Sequence, residues 1–356
     1  MYTKCCGFFW EEHEETDLSC HFMMVDTEKG NQTGITEFIL LGFGTFPKVE
    51  PLLFSFFLVL YLITITGNLL IFLLVVIDQH LHTPMYFFLA NLSFLDTCYS
   101  STVLPKMLVN LLRVKKTISV SGCLAQYHFF CFCAGVETYL LAAMSYDRYL
   151  AICRPLLYPS IMNGKFCFLL MAGTWISSVI VNVILVAFVA QLSFCGPNVI
   201  DHYFCDFHPL EKLSCSDTNP LDLVLLFVSI SFVIVPFLLT FLSYICIIGT
   251  IIKIKSTIGR QKAFSTCSSH LMVVCFFYGT LIIVYVLPDY PTLRYLNKVF
   301  SIFYTVMTPL ANPLIYTLRN KEVHKALRLL YVVMAEVPDW DHDGYMLFGV
   351  INFMLR

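Results

Sequence analysis

Met144-Ser-Tyr-Asp-Arg-Tyr-Leu-Ala-Ile-Cys153 closes a long apolar segment, and its Asp147-Arg148-Tyr149 sets a charged pair where a membrane helix should meet water. An Arg at a helix end reaches the interface or a docked protein, and an adjacent carboxylate can hold it until it is freed. The plainer reading is a snorkelling Arg beside its counter-ion. An isolated Asp-Arg-Tyr tripeptide carries little information. The full string at the end of an apolar span carries far more.

Composition fixes the class. Of 356 residues, 58% are hydrophobic and 13% charged, with a mean hydropathy of +0.76, too apolar for a soluble globule. Stretches long enough to cross a bilayer, about 20 residues each, lie near 51–77, 84–108, 122–152, 166–190, 221–252, 264–287 and 296–318. The expected architecture is all-α: a seven-transmembrane helix bundle over 51–318, a preceding tail 1–50, a short amphipathic eighth helix 319–331 and a tail 332–356. The third and fifth spans exceed a minimal crossing, which implies tilt or extension into the cytoplasm. Lys and Arg divide almost evenly between the two sides, so the positive-inside rule does not orient the chain. The sequon Asn31-Gln32-Thr33 ahead of the first span favours an outer N-terminus, as do cysteines gathered on the same side. Asn91-Leu92-Ser93 lies within a span and is read as inert.

Most of the 15 cysteines lie in apolar spans, where a thiol is usually a small packing group. Cys123 begins the third span, while Cys195, Cys205 and Cys215 lie in the long polar segment between the fourth and fifth. These four allow three pairings, and the sequence does not choose among them. The preferred expectation pairs Cys123 with Cys205, pinning the segment over the third helix, and Cys195 with Cys215, closing a smaller loop. A disulfide-bonded lid makes sense over a mouth worth covering.

One helix runs from Cys123 to Arg148, roughly 37 Å at 1.5 Å per residue. Measured from the cytoplasmic ends of their spans, Asp96 lies about 18 Å deep and Glu137 about 16 Å deep. Asn68 and Asn312 occupy the cytoplasmic halves of the first and seventh spans, so all four are candidates for one buried cluster sharing a proton, water or cation, with sodium as the candidate ion. The competing reading is a static polar staple. Stepping outward from Glu137, Ala134, Phe130 and Tyr127 share an apolar face with Cys131 beside them, and in the sixth span Tyr278, Leu281, Ile282 and Tyr285 share another. Phe130, Cys131, Ala134, Tyr278, Leu281, Ile282 and Tyr285 are therefore the candidate ligand wall, although such stripes are as often ordinary helix packing. With no charge in the outer half of the third span, the expected ligand is small and mostly apolar.

From Asn31 to about Leu330 the chain resembles the vertebrate olfactory receptors, within the rhodopsin-like G-protein-coupled receptors. The matching strings are Thr36-Glu-Phe-Ile-Leu-Leu-Gly-Phe43, Gly67-Asn68, Leu81-His-Thr-Pro-Met-Tyr-Phe-Phe-Leu89, Met144 to Cys153, Lys262-Ala-Phe-Ser-Thr-Cys-Ser-Ser-His-Leu271 and Asn312-Pro313-Leu-Ile-Tyr316 with Thr317-Leu-Arg-Asn320. His82-Thr83-Pro84 resembles the tetrapod-enriched branch that answers airborne odorants, and Cys195, Cys205 and Cys215 match the family's long second outer loop. The resemblance implies that a small volatile odorant settles among the third, fifth, sixth and seventh helices and that the sixth swings outward. Pro236, Tyr244 and Tyr316 resemble switch positions, and Arg148 is released to engage a heterotrimeric stimulatory G protein. It further implies a plasma-membrane location in olfactory sensory cilia, with membrane lipids as neighbours and no nucleic-acid partner.

Lys253, Lys255, Arg260, Lys262, Arg319, Lys321, Lys325 and Arg328 on the presumed inner side suit G protein or anionic lipid. No phosphate loop, zinc-ligand spacing or nucleophile elbow points to an enzyme, and no cofactor is expected. Two places depart from the family pattern: the acidic 1–23 extension, which makes Met23 or Met24 the expected start, and the stretch after Val333. In the second outer loop, His208 and Glu211 make the segment more polar than is usual for the family. An ion-coupled transporter using Asp96 and Glu137 is the competing class, but it calls for internal repeats and broken helices that the sequence lacks. Within the receptor class the alternative is a member expressed outside the nose that answers a metabolite or lipid.

Overall fold

In the computed structural model the described residues are 35–44, 48–195, 197–216, 219–285, 294–319, 323 and 325–328. The glycosylation expected at Asn31, the 1–23 extension and the tail after Val333 lie outside them. Contacts divide the chain at Gly34, and Ile35–Arg356 forms a unit of its own.

Among the described residues seven long helices follow one another: α1 Glu50–Ile77, α2 Pro84–Leu111, α3 Val120–Cys153, α4 Gly164–Val189, α5 from Asn219 to Lys253, α6 Thr257–Tyr285 and α7 from Arg294 to Arg319. Their starts are written in the sequence. Proline sits in the first turn of α1 and α2, where its missing N–H costs nothing. Ser119 accepts the Gly122 amide (3.1 Å) at the head of α3, and Asn163 accepts the Phe166 amide (2.9 Å) at the head of α4. Two helices are interrupted by π turns, α5 at Ile230–Ile234 and α7 at Phe303–Met307.

By length and composition alone, five of the described helical stretches are apolar enough to cross a membrane: Glu50–Ile77, Val120–Cys153, Gly164–Val189, Leu221–Lys253 and Cys267–Val284. α2 is diluted by Ser93, Asp96, Thr97, Ser100, Ser101 and Thr102, and α7 is divided by its π turn. Both nevertheless stand within the bundle, α2 against α1 and α3, and α7 against α1, α2 and α6. Ile176, Val179, Ile180, Val183 and Ile184 line the outward face of α4, each at least 47% exposed, which is an arrangement suited to lipid. α6 begins at Thr257, seven residues before the apolar span, because backbone hydrogen bonding continues where hydropathy has already fallen.

α3 is the axis, touching α2, α4, α5 and α6. Around it Leu92, Leu95, Val103, Val136, Leu140 and Leu141 are fully buried. Beyond α7, Val323, Ala326 and Leu327 are buried while Lys325 and Arg328 are exposed, the spacing of an amphipathic helix.

At the end of the bundle carrying the polar loop, the segment before α1 forms β1 Glu37–Leu40. It pairs antiparallel with β2 Thr117–Ser119 and parallel with β3 Val199–Ile200, with Phe38 opposite Ile118 and Leu40 opposite Ile200. Phe38 and Leu40 point inward, 0% and 1% exposed, while Glu37 points out, the alternation of a half-buried strand. Gly42 then turns the chain at φ 60° and donates its amide to the His202 carbonyl (3.1 Å). Part of the expected tail is thus a structural strand.

Phe38 meets Phe194 edge to face at 5.2 Å. Phe38→Ala should therefore destabilise this end by about 3 kcal/mol or more, read as a lower unfolding temperature of the purified protein. Unchanged unfolding would show that β1 contributes nothing.

Candidate functional site

Three clusters of candidate functional side chains lie along α3. The uppermost is beneath the polar loop, where Cys123 bonds to Cys205 with Cα atoms 5.5 Å apart and Cys195 bonds to Cys215 at 6.0 Å. The loop between them enters the bundle. Tyr203 shares a hydrogen bond with Thr305 (2.8 Å), Tyr304 donates to Asp206 (3.3 Å), and the Cys205 amide donates to Gln126 Oε1 (3.0 Å). Phe204 lies 5.0 Å from Phe130, which also meets Tyr99 at 5.3 Å and Tyr304 at 5.8 Å.

The expected ligand wall is partly assembled. Phe130 and Tyr278 are buried, and Cys131, Ala134 and Leu281 are half-buried. Tyr278 packs edge-on against Phe237 at 5.1 Å. Ile282 departs from the expectation: it is 48% exposed, because a step of about 100° from Leu281 turns it to the outer face of α6. Tyr285 closes α6, and its side chain lies outside the described residues.

The middle cluster is polar. Asn312 donates to Asp96 Oδ2 (2.8 Å), and Asn68 donates to the carbonyls of Thr64 (3.0 Å) and Pro309 (2.9 Å). The Pro309 acceptor has a local cause. Four residues on stands Pro313, which has no N–H to give it, and the Asn68 amide takes that place. Glu137, 0% exposed, interacts electrostatically with Asp96. Asp96 Oδ1, both Glu137 oxygens, Asn68 Oδ1 and Asn312 Oδ1 are buried without a hydrogen-bond partner. Nearby, the Tyr139 hydroxyl donates to the Ser231 carbonyl (2.7 Å). This carbonyl lies in the π turn of α5, where an i-to-i+5 bond would need the missing N–H of Pro236.

At the far end of α3, Arg148 Nε donates to Asp147 Oδ2 (2.9 Å), and the Arg148 terminal nitrogen engages the same oxygen. Asp147 Oδ1 accepts from Tyr158 (2.8 Å), on the short helix Tyr158–Ile161. The acid is held from two sides. Tyr244 shares a hydrogen bond with His270 Nδ1 (2.7 Å) and packs with Ile247, Ile251 and Cys267 against Tyr149 and Ile152. Pro313 is buried within α7, whereas the Tyr316 side chain lies outside the described residues.

The sequence reading did not assign Tyr158, His270, Gln126 or Phe204 to the site. His270 stood in a quoted string without a role, and Tyr158 lies 11 residues beyond Asp147 across a turn that no periodicity spans.

A family model described as "Olfactory receptor" matches residues 57–333. Olfactory receptor 5AP2 of Mus musculus is 48% identical over 317 residues, covering 87% of this chain and 100% of that one. Olfactory receptor 11A1 of Homo sapiens is 50% identical over 311 residues, covering 87% and 98%. Among solved structures, the crystal structure of squid rhodopsin shares the fold with a TM-score of 0.65 at 16% identity, covering 88% of this chain and 87% of that one.

His202 lies in the loop outside the spans, 6% exposed and between the rings of Tyr203 (4.6 Å) and Phe204 (4.7 Å). Burial first, then the Lys298 ammonium, pushes its pKa down to about 3, with Asp201 opposing. The unfolded imidazole takes its proton near pH 6.5 while the folded one refuses it, so stability is full above that pH and falls on acidification. Between pH 7 and pH 5 the loss should be about 2 kcal/mol. His202→Gln should unfold with a visibly shallower pH dependence over this window. Identical slopes would remove His202 as the cause.

Proposed function

Because the chain belongs to the olfactory receptor family of seven-helix, rhodopsin-like G-protein-coupled receptors, we propose that it binds small, mostly apolar odorants beneath the disulfide-bonded loop and activates a stimulatory G protein, raising cyclic AMP. It is a membrane receptor and not an enzyme. The observation that carries the proposal is that α3 alone bears Phe130 under the loop, Glu137 in the polar cluster and Arg148 in its clasp with Asp147. Orientation follows from this use: the loop and N-terminus face outward, and Arg148 faces the cytoplasm of the plasma membrane, in sensory cilia.

In the resting arrangement Asp147 holds Arg148 and is itself steadied by Tyr158. An odorant among Phe130, Cys131, Ala134, Tyr278 and Leu281 must bind the active arrangement more tightly than the resting one, since equal affinity shifts nothing. Tyr278, the wall residue on α6 that donates to the Thr138 carbonyl of α3 (3.5 Å), carries the change along α6, whose His270 is tied to Tyr244 of α5. Outward movement of α6 opens the space beside Arg148 to the G protein.

The unpartnered oxygens of Asp96, Glu137, Asn68 and Asn312 suit a hard cation such as sodium. These residues would hold it, and its charge would offset the two acids in the resting state.

Cells producing residues 24–356 with the stimulatory G protein and a trafficking chaperone should raise cyclic AMP to at least one member of a broad volatile panel. Arg148→Ala should abolish the rise at unchanged surface staining, and an undiminished response would overturn the role given to Arg148. Asp96→Asn should alter basal cyclic AMP and remove its dependence on sodium. An unchanged basal level and salt response would leave the cluster a static staple.

A further inference from the structure

Near the loop end, α2 and α3 part to leave a groove of about 650 Å³ on the outside of the bundle. Its walls explain it: Cys98, Ser101 and Thr102 of α2 face Gly122 and Ala125 of α3, and such small side chains cannot close the gap. Ser101, Ala125 and Phe129 are exposed along it, so the opening faces the membrane.

The upper end is cationic. Lys106 lies in the last turns of α2 and Arg113 just past its end, near enough for the Arg113 charge to act on Lys106. Lys106 Nζ donates to the Thr117 carbonyl (2.6 Å), with the Glu37 carboxylate near enough to act on it but not within ion-pair distance. Glu37 stands at the rim and is paired with Lys115 at 3.8 Å. Among the described residues Arg113 has no acidic partner within ion-pair distance. From Lys106 down to Cys98 the groove runs about 12 Å into the hydrocarbon. The groove is open to the membrane, and a single line of apolar side chains, Cys98, Ala125 and Phe129, runs along it below the cationic end, which suits one acyl chain.

We propose that this groove binds a single-chain fatty acid, its carboxylate held by Lys106 and Arg113 and its chain lying between α2 and α3 toward Cys98 and Phe129. The leaflet assignment rests on the orientation proposed above, which places the groove in the outer leaflet, where anionic phospholipids are not the abundant competitor they are on the cytoplasmic side. Binding itself requires only the fold. Gln126 lines the groove, donates to the Thr102 carbonyl (3.1 Å) and accepts the Cys205 amide, so an occupant touches the side chain that seats the lid.

The test is photolabelling of the full chain in phosphatidylcholine nanodiscs with a diazirine-bearing hexadecanoic acid, alongside the matching hexadecanol. The acid should label peptides spanning 98–113 and 117–129 well above the alcohol, and unlabelled hexadecanoic acid should compete. Lys106→Gln with Arg113→Gln should cut labelling roughly tenfold, the effect of about one charge-assisted hydrogen bond. Lys106→Arg should retain it, and Ala125→Phe, on an exposed face with both charges intact, should block it. Equal labelling by acid and alcohol would reduce the groove to ordinary annular lipid. Competition by phosphatidylserine with none by hexadecanoic acid would replace the proposed ligand by a two-chain anionic lipid. Either result overturns the proposal.

Discussion

Inside hydrocarbon a backbone carbonyl deprived of its N–H has no water to turn to, and the cost of leaving it bare is several kcal/mol. Among the described residues, Pro313 and Pro236 create this problem at two carbonyls that side chains from neighbouring helices reach. Pro313 strands the Pro309 carbonyl, which the Asn68 amide reaches across from α1. Pro236 deprives Ser231 of a π-type partner, and the Tyr139 hydroxyl reaches it from α3. Each repair fixes the rotation of the helix that supplies it. Asn68 also aligns α1 with α7, whose Asn312 then meets Asp96 of α2. These contacts together tie α1 to α7, α7 to α2, and α3 to α5.

The same reasoning explains why a rigid α3 can serve ends far apart. Ser119 caps it and the Cys123–Cys205 bond holds its first turn to the loop. Its middle carries Glu137 against Asp96, and its last turns carry Asp147 and Arg148.

Much of this was legible in the sequence because hydropathy, cysteine position and the depth of Asp96 and Glu137 are properties of single segments. The helices from α1 to α7 begin and end near the apolar boundaries, except α6, whose extension at the Arg148 end is polar and helical at once. What was not legible depends on two segments meeting. β1 is only Glu37–Leu40, too short for its alternation to stand out, and it exists because Thr117–Ser119 and Val199–Ile200 lie on either side. Tyr158 joins Asp147 through a turn, and Ile282 belongs to the lipid because helical spacing names a stripe without fixing its width. The three-way choice among disulfides was of the same kind, since it needed the loop's path into the bundle.

The π turns of α5 and α7 carry a mechanical consequence. A π turn accommodates one residue more than an α turn, so recovering α geometry at Ile230–Ile234 or Phe303–Met307 would expel one residue and twist one half of the helix against the other by about 100°. The half nearest the loop and the half nearest Arg148 are therefore joined by a ratchet of a single residue. Were a ligand to press on the upper half of either helix, as proposed, it would work against a joint with discrete positions, and its effect at the opposite membrane face would be a change of facing rather than a graded displacement.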